Sequence, residues 1–201
     1  MRVRPVGRRA VLVECRDGAE ADAWRAELVR RRDAGELRVE EIVPGACTVL
    51  LDGVPPSIAD LLHGWTPADS GPRPAAPLVE ISTTFDGADL EDVARRWGVP
   101  AEEVVARLAG ADLVVAFCGF APGFAYLRGL PEEWAVPRLA TPRPRVPAGS
   151  IALAGGYAGI YPASSPGGWR LVGRTTANLF DVRREPPALL TPGTRVRLVP
   201  A

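Results

Sequence analysis

Residues Gly119 to Gly173 constrain this chain more than any other stretch. They combine dense Pro and Gly with Phe120, Phe124, Tyr126, Tyr161 and Trp169. Pro holds φ near −65° and removes a donor, whereas Gly admits positive φ, so the backbone turns here at fixed points. A solvated linker also carries Pro and Gly, but it has no means of burying large rings. The region therefore reads as rigid loops around a concave surface lined by aromatic and Arg side chains, where binding groups usually sit.

The chemistry inside this region is one-sided. Its only carboxylates between Gly119 and Trp169 are Glu132 and Glu133, and the single histidine of the chain, His63, lies far outside it. No Gly-x-Ser-x-Gly elbow surrounds Ser150 or Ser165, so a self-contained serine triad is not expected. Cys118 has no histidine in its domain to lower its pKa and reads as a core thiol at a strand end. The catalytic residues therefore remain unassigned. What the region does supply is Arg138, Arg143 and Arg145, with the hydroxyls of Tyr126, Thr141, Ser150 and Tyr161 and backbone amides freed by the turns. These groups suit recognition of a carboxylate or phosphate and of developing negative charge. Arg138, Arg143, Tyr161, Trp169, Ser150 and Tyr126 are the candidate substrate-binding residues. Phe120 and Phe124 read as core plugs, and Gly155-Gly156 as a hairpin turn.

Six ordered blocks carry a resemblance. Gly119-Phe120-Ala121-Pro122-Gly123-Phe124-Ala125-Tyr126-Leu127 is followed by Pro137-Arg138, Thr141-Pro142-Arg143, Val146-Pro147-Ala148-Gly149-Ser150, Tyr161-Pro162 and Ser165-Pro166-Gly167-Gly168-Trp169. This order resembles the family that holds the B-type subunit of 5-oxoprolinase, allophanate hydrolase subunit 1 and the sporulation-kinase inhibitor, and that shares the carboxyltransferase domain of urea carboxylase. The resemblance implies an α+β protein, a small N-terminal α/β domain followed by a C-terminal cyclophilin-like β-barrel. It also implies a B-type subunit of a heteromeric ATP-dependent hydrolase that opens 5-oxo-L-proline to L-glutamate. A C-type carboxyltransferase-related subunit and an A-type subunit would complete it, with ATP used at the level of the complex and not necessarily bound by this chain. The alternatives are an interaction protein that docks on a sensor histidine kinase, or a urea carboxylase or allophanate hydrolase subunit. The chain departs from the family pattern at Leu108, Leu113 and Leu139, where relatives carry His, Tyr and Arg.

Composition narrows the field further. The chain has 201 residues, 47% of them hydrophobic, and a formal charge of zero. No basic stripe of the kind that nucleic acid or an anionic membrane requires is apparent. All 24 basic residues are Arg, so this chain can carry no biotinyl lysine, Schiff base or Walker A lysine. No signal peptide or membrane span is read from the sequence, and a cytoplasmic location is expected. Cys15, Cys47 and Cys118 form no CxxC pair, so neither disulfides nor a metal site is expected.

Punctuation and periodicity give the elements. Strands are expected at Ala10 to Cys15, Val39 to Val43 and Thr48 to Leu51, with a helix over Glu20 to Arg32 and a short one from Ser57 to His63. Residues 66 to 77 turn abruptly to Pro and small residues, which divides the chain near Pro74 into residues 1–74 and 75–201. Beyond it, a strand at Leu78 to Thr83 precedes helices at Asp89 to Trp97 and from Pro100. Further strands are expected at Leu113 to Phe117, Ile151 to Ala154, Trp169 to Gly173, Leu179 to Val182 and Arg195 to Val199.

Overall fold

The computed structural model describes residues 1–67 and 77–201. The chain forms two compact units, Met1–Ala75 and Ala76–Ala201. The division drawn at Pro74 lies outside the described residues. Among those described, no helix is long and apolar enough to cross a membrane.

In the first unit, β1 (Arg2–Val6), β2 (Ala10–Glu14), β4 (Thr48–Asp52) and β3 (Glu41–Pro44) form an antiparallel sheet in that order. Helix α1 (Gly18–Asp33) packs on it, and α2 (Ile58–His63) completes the unit. The helical spacing of Ala21, Trp24 and Leu28 and the alternation of Val11 with Val13 and Val49 with Leu51 bury one common core. Asp17 caps α1, its Oδ1 accepting from Glu20 N at 2.8 Å. Strand β1 escapes the hydrophobic pattern because it is an edge strand, where Pro5 needs no ladder donor.

The second unit is the α+β barrel that the resemblance implies. Its strands are β5 (Leu78–Thr83), β6 (Leu113–Cys118), β7 (Ala125–Arg128), β8 (Arg143–Val146), β9 (Ser150–Ala154), β10 (Tyr157–Ile160), β11 (Ser165–Gly167), β12 (Arg170–Arg174) and β13 (Arg195–Pro200), with helices α3 (Leu90–Trp97) and α4 (Ala101–Gly110). Seven of these strands run in the order β12-β9-β10-β7-β6-β13-β5, and β8 pairs with β11 separately. One bridge nearly closes the ring: Thr84 and Arg174, just past β5 and at the end of β12, exchange N–H···O bonds of 2.9 and 2.8 Å.

Period-two alternation sorts the strand side chains onto two faces. Ile151 and Leu153 of β9 join Leu127, Val172 and the buried Val93, Val104 and Leu108 of the two helices. Ala152 and Ala154 turn the other way, toward Phe124, Tyr161, Trp169 and Leu171. The strands thus present an aromatic cluster on the face that does not carry the helices.

Two expectations meet different outcomes. Leu179 to Val182 is not a strand and makes only the bridge Phe180 to Ala188. Among the described residues its backbone bonds only locally, Leu189 N donating to Leu179 O at 2.9 Å and Asp181 N to Pro187 O at 3.0 Å. The Arg184 guanidinium donates to Asn178 O and Leu179 O at 3.2 Å each and to Pro187 O at 2.8 Å. Gly155-Gly156 does form a two-residue hairpin, joining β9 to β10 with Ala154 opposite Tyr157.

Gly87 sits where the chain passes from β5 toward α3, and a methyl there would overlap backbone atoms of Leu171 and Val172. Gly110, at the end of α4, faces open space. Gly87→Ala should therefore cost about 1–3 kcal/mol by overpacking against immovable backbone. Gly110→Ala should be neutral or stabilising by up to about 1 kcal/mol. Urea-denaturation midpoints of the two variants test this; equal effects would contradict it.

Candidate functional site

Phe124 is the hub of the aromatic cluster. Its ring centroid lies 5.0 Å from Tyr126, 5.2 Å from Tyr161, 5.3 Å from Phe120 and 5.5 Å from Trp169, each pair edge to face. Tyr126 also stacks on Phe117 at 4.3 Å. Small residues make this density possible. A Cβ at Gly159 would approach Trp169 to 2.9 Å and Phe124 to 3.0 Å, and one at Gly167 would strike the Tyr161 hydroxyl.

The cluster encloses a recess of about 90 Å³ lined by Phe120, Phe124, Tyr126, Arg138, Tyr161, Trp169 and the turn Pro166 to Gly168. Four of the six residues singled out from the sequence meet here: Tyr126, Arg138, Tyr161 and Trp169. The other two do not line it. Ser150 is buried in β9 and borders a different hollow beside Gly87 and Gly173. Arg143 is held away in an ion pair with Asp89 at 2.7 Å, its other nitrogen 3.5 Å from the Trp169 carbonyl.

Loop positions follow from two acidic residues around the start of α3. Asp89, buried, accepts from Arg143 and also from the Leu171 backbone N–H at 2.7 Å. Asp92 binds Arg95 and Arg96, each at 2.9 Å, and the buried Arg170. These arginines hold the Asp92 carboxyl below the usual range, hydrogen bonding from Arg96 acting most strongly. Arg170 passes the constraint on by donating from Nε to the Pro137 carbonyl at 2.9 Å, and Leu139 N donates to Gly168 O at 2.7 Å. Arg138, between those two tethers, has its guanidinium carbon 5.9 Å from the Trp169 ring centroid. It makes no ion pair with a carboxylate among the described residues, and its side chain is exposed.

Phe120 departs from its expected role as a core plug. Phe124 is 1% exposed, as a plug should be, whereas Phe120 is 62% exposed. Phe120 also has φ of +71°, the only positive φ of a residue other than Gly among those described. For a bulky residue that conformation costs about 1–3 kcal/mol. Four residues of spacing carry no signal that separates the two phenylalanines; the turn around Pro122 and Gly123 does.

The recess offers one cation and two phenols, and its lining contains no carboxylate, imidazole or thiol. Cys118 lies at the end of β6 with Sγ 3.5 Å from the Leu190 carbonyl, and His63 Nδ1 is 2.7 Å from the Ala59 carbonyl on α2. Among the described residues, no group of three or more His, Cys, Asp or Glu is placed to hold a metal ion. The arrangement can bind and orient an anion attached to a flat or apolar body. It carries little with which to move protons at neutral pH. Burial pushes the Tyr161 phenol above its ordinary value, outweighing hydrogen bonding from Trp169 and the nearby Arg138 charge.

Fold and recess together are those of a carboxyltransferase-type domain, with an aromatic, Arg138-lined hollow on a nearly closed barrel. Residues 1–190 match the family described as carboxyltransferase domain, subdomain C and D, and the chain belongs to that family. It is 38% identical over 208 residues to the 5-oxoprolinase B-type subunit of Escherichia coli O157:H7, covering 97% of this chain and 94% of that one. The same-named protein of Bacillus subtilis strain 168 is 43% identical over 125 residues, 61% of this chain and 52% of the relative. Among solved structures, TTHA0988 matches 96% of this chain with a TM-score of 0.77 and 34% identity, and the chain spans 39% of its length. Kluyveromyces lactis urea carboxylase, at 20% identity and a TM-score of 0.73, shares the fold over 99% of this chain, which spans 21% of it.

Two measurements follow from the geometry. Asp89→Ala leaves Arg143 and the Leu171 N–H without their acceptor and should lower stability by about 2–3 kcal/mol. Asp89→Asn, which keeps one acceptor, should lose less; chemical denaturation that ranks the two equally would contradict the double role. The raised Tyr161 pKa gives a stabilising contribution that is complete below pH about 10 and is lost as pH rises through the folded value. Subtracting the ultraviolet pH titration of Tyr161→Phe from that of the parent should give a phenol midpoint above 10. A midpoint at or below 10 would show that the ring is not buried as described.

Proposed function

We propose that this chain is the B-type subunit of a heteromeric ATP-dependent hydrolase that opens 5-oxo-L-proline to L-glutamate. The observation that carries this reading is the 38% identity, spanning nearly the whole of both chains, to a protein named as the B-type subunit of 5-oxoprolinase. The recess supports it chemically. A five-membered lactam is a small, flat body with one carboxylate, matched by aromatic walls and a single unpaired guanidinium. Arg138 receives the carboxylate, Tyr161 and Trp169 wall the ring, and Tyr126 supports them from behind Phe124. Arg143 acts at one remove, by holding the loop that β8 begins.

The proton-transfer groups and the nucleotide site belong, on this reading, to other subunits. The C-type subunit related to the carboxyltransferase domain and the A-type subunit supply them, and ATP serves the complex. Activation of the lactam oxygen by ATP followed by attack of water opens the ring. The urea carboxylase and allophanate hydrolase alternative has fold likeness at 20% identity in its favour and nothing at the level of side chains.

Reconstitution with the A-type and C-type subunits, assayed as phosphate release dependent on 5-oxo-L-proline, tests the proposal. This chain alone should show no turnover. Arg138→Ala should lower kcat/KM of the complex roughly 10- to 100-fold, about 1.4–2.7 kcal/mol, with little change in melting temperature because the side chain is exposed. Arg138→Lys should recover little, since a point charge does not reproduce a planar fork. Arg143→Ala should instead lower the melting temperature. Turnover by the isolated chain, or an Arg138→Ala complex of full activity, would refute the assignment.

A further inference from the structure

Phe120 bears two costs, against which its unit sets edge-to-face ring pairs. Its backbone occupies the left-handed region, at φ +71°, and its ring is 62% exposed. A glycine at this position would remove both. The ring touches the aromatic cluster only edge to face, with centroids 5.3 Å from Phe124 and 6.3 Å from Tyr161, so it stands upright at the rim of the recess. Arg138 stands on the same rim. A strained, exposed side chain at the mouth of a binding hollow marks a contact that is made only when the hollow is filled.

We propose that Phe120 is a ligand-covering residue, which closes the recess over a flat, ring-shaped anion whose charge rests on Arg138. This rests on the reading of the recess as the substrate-binding part of the complex. The size of the hollow supports it. At about 90 Å³ it falls well short of the roughly 300 Å³ of an ordinary ligand pocket, so a bound ring protrudes past the floor and needs a cover. The upright ring of Phe120 supplies an aromatic face at that height. Phe120 therefore sets which ligands fit, by ring size and flatness, while Arg138 requires the anion.

The experiment uses the full chain in the reconstituted complex. Phe120→Gly should raise the melting temperature of the chain by about 2–4 °C, as relief of strain in a chain of this length predicts. It should also raise KM for 5-oxo-L-proline at least 10-fold with kcat changed less than 3-fold. Phe120→Leu, which keeps the strain and some apolar cover, should leave the melting temperature near that of the parent and recover part of the KM. An unchanged KM in Phe120→Gly overturns the proposal whatever the melting temperature does. A normal KM with weakened capture of the C-type subunit would make Phe120 a contact between subunits instead. If the parent complex does not turn over 5-oxo-L-proline, the functional reading fails separately. Calorimetric titration with 5-oxo-L-proline, L-proline and benzoate then decides the role of Phe120. Binding weakened by Phe120→Gly sustains it, and binding that is absent or unaffected overturns it.

Discussion

The two carboxylates of Asp89 and Asp92 organise everything around the recess. Asp89 is the N-cap residue of α3 and lies 54 residues from Arg143 and 82 from Leu171, both of which it binds. Asp92, one turn further on, takes Arg170, 78 residues away. Asp89 is buried and Asp92 partly so, and each carboxylate has at least two donors to offset its loss of water. The consequence is a fixed distribution of cations. Arg143 and Arg170 are neutralised within the unit and hold loops in place, whereas Arg138, tethered through its neighbours' backbones, keeps its charge for something else.

Volume is the second constraint. Four rings cannot converge on Phe124 unless the strands passing beneath them give up side chains, and Gly159 and Gly167 do so. The rings then close edge to face around Phe124, and Phe124 and Tyr161 are fully buried although they belong to a loop-rich face. A rigid floor of this kind can hold a ligand without ordering itself first, so less binding energy is lost to conformational entropy. Phe120 is the exception, and its exposure matters because the rest of the cluster leaves no slack.

The sequence made most of this architecture legible. Alternation and helical spacing placed β5, β9, β13, α1 and α3 within a residue or two, since each buries one face on a core and the pattern records that burial. The Pro- and Gly-rich blocks marked the recess and four of its wall residues. What stayed hidden depends on contacts between distant positions. Arg138 and Arg143 both follow a proline in a loop and look alike in one dimension; only Asp89 tells them apart. Leu179 to Val182 has strand composition, but its backbone pairs only locally, with Pro187 and Leu189. Short strands such as β7, β10 and β11 lie among glycines, aromatics and prolines, where turn signals mask the period.

The three leucines at which the resemblance leads one to expect other residues lie in definite places in three dimensions. Leu108 and Leu113 are each 0% exposed in the core between the helices and the sheet, not in the recess. A histidine at residue 108 of this fold would face Val93, Val104 and their neighbours, so leucine there changes packing and not the chemistry of the hollow. Leu139 differs in kind. It follows Arg138, and its N–H is already committed to the Gly168 carbonyl at 2.7 Å. It is apolar, and Arg138 is the one guanidinium among the residues lining the recess. The loop that carries this guanidinium is tethered from Asp92 through Arg170 to the Pro137 carbonyl. A substitution that loosens that tether would therefore move Arg138 without touching a residue that lines the recess.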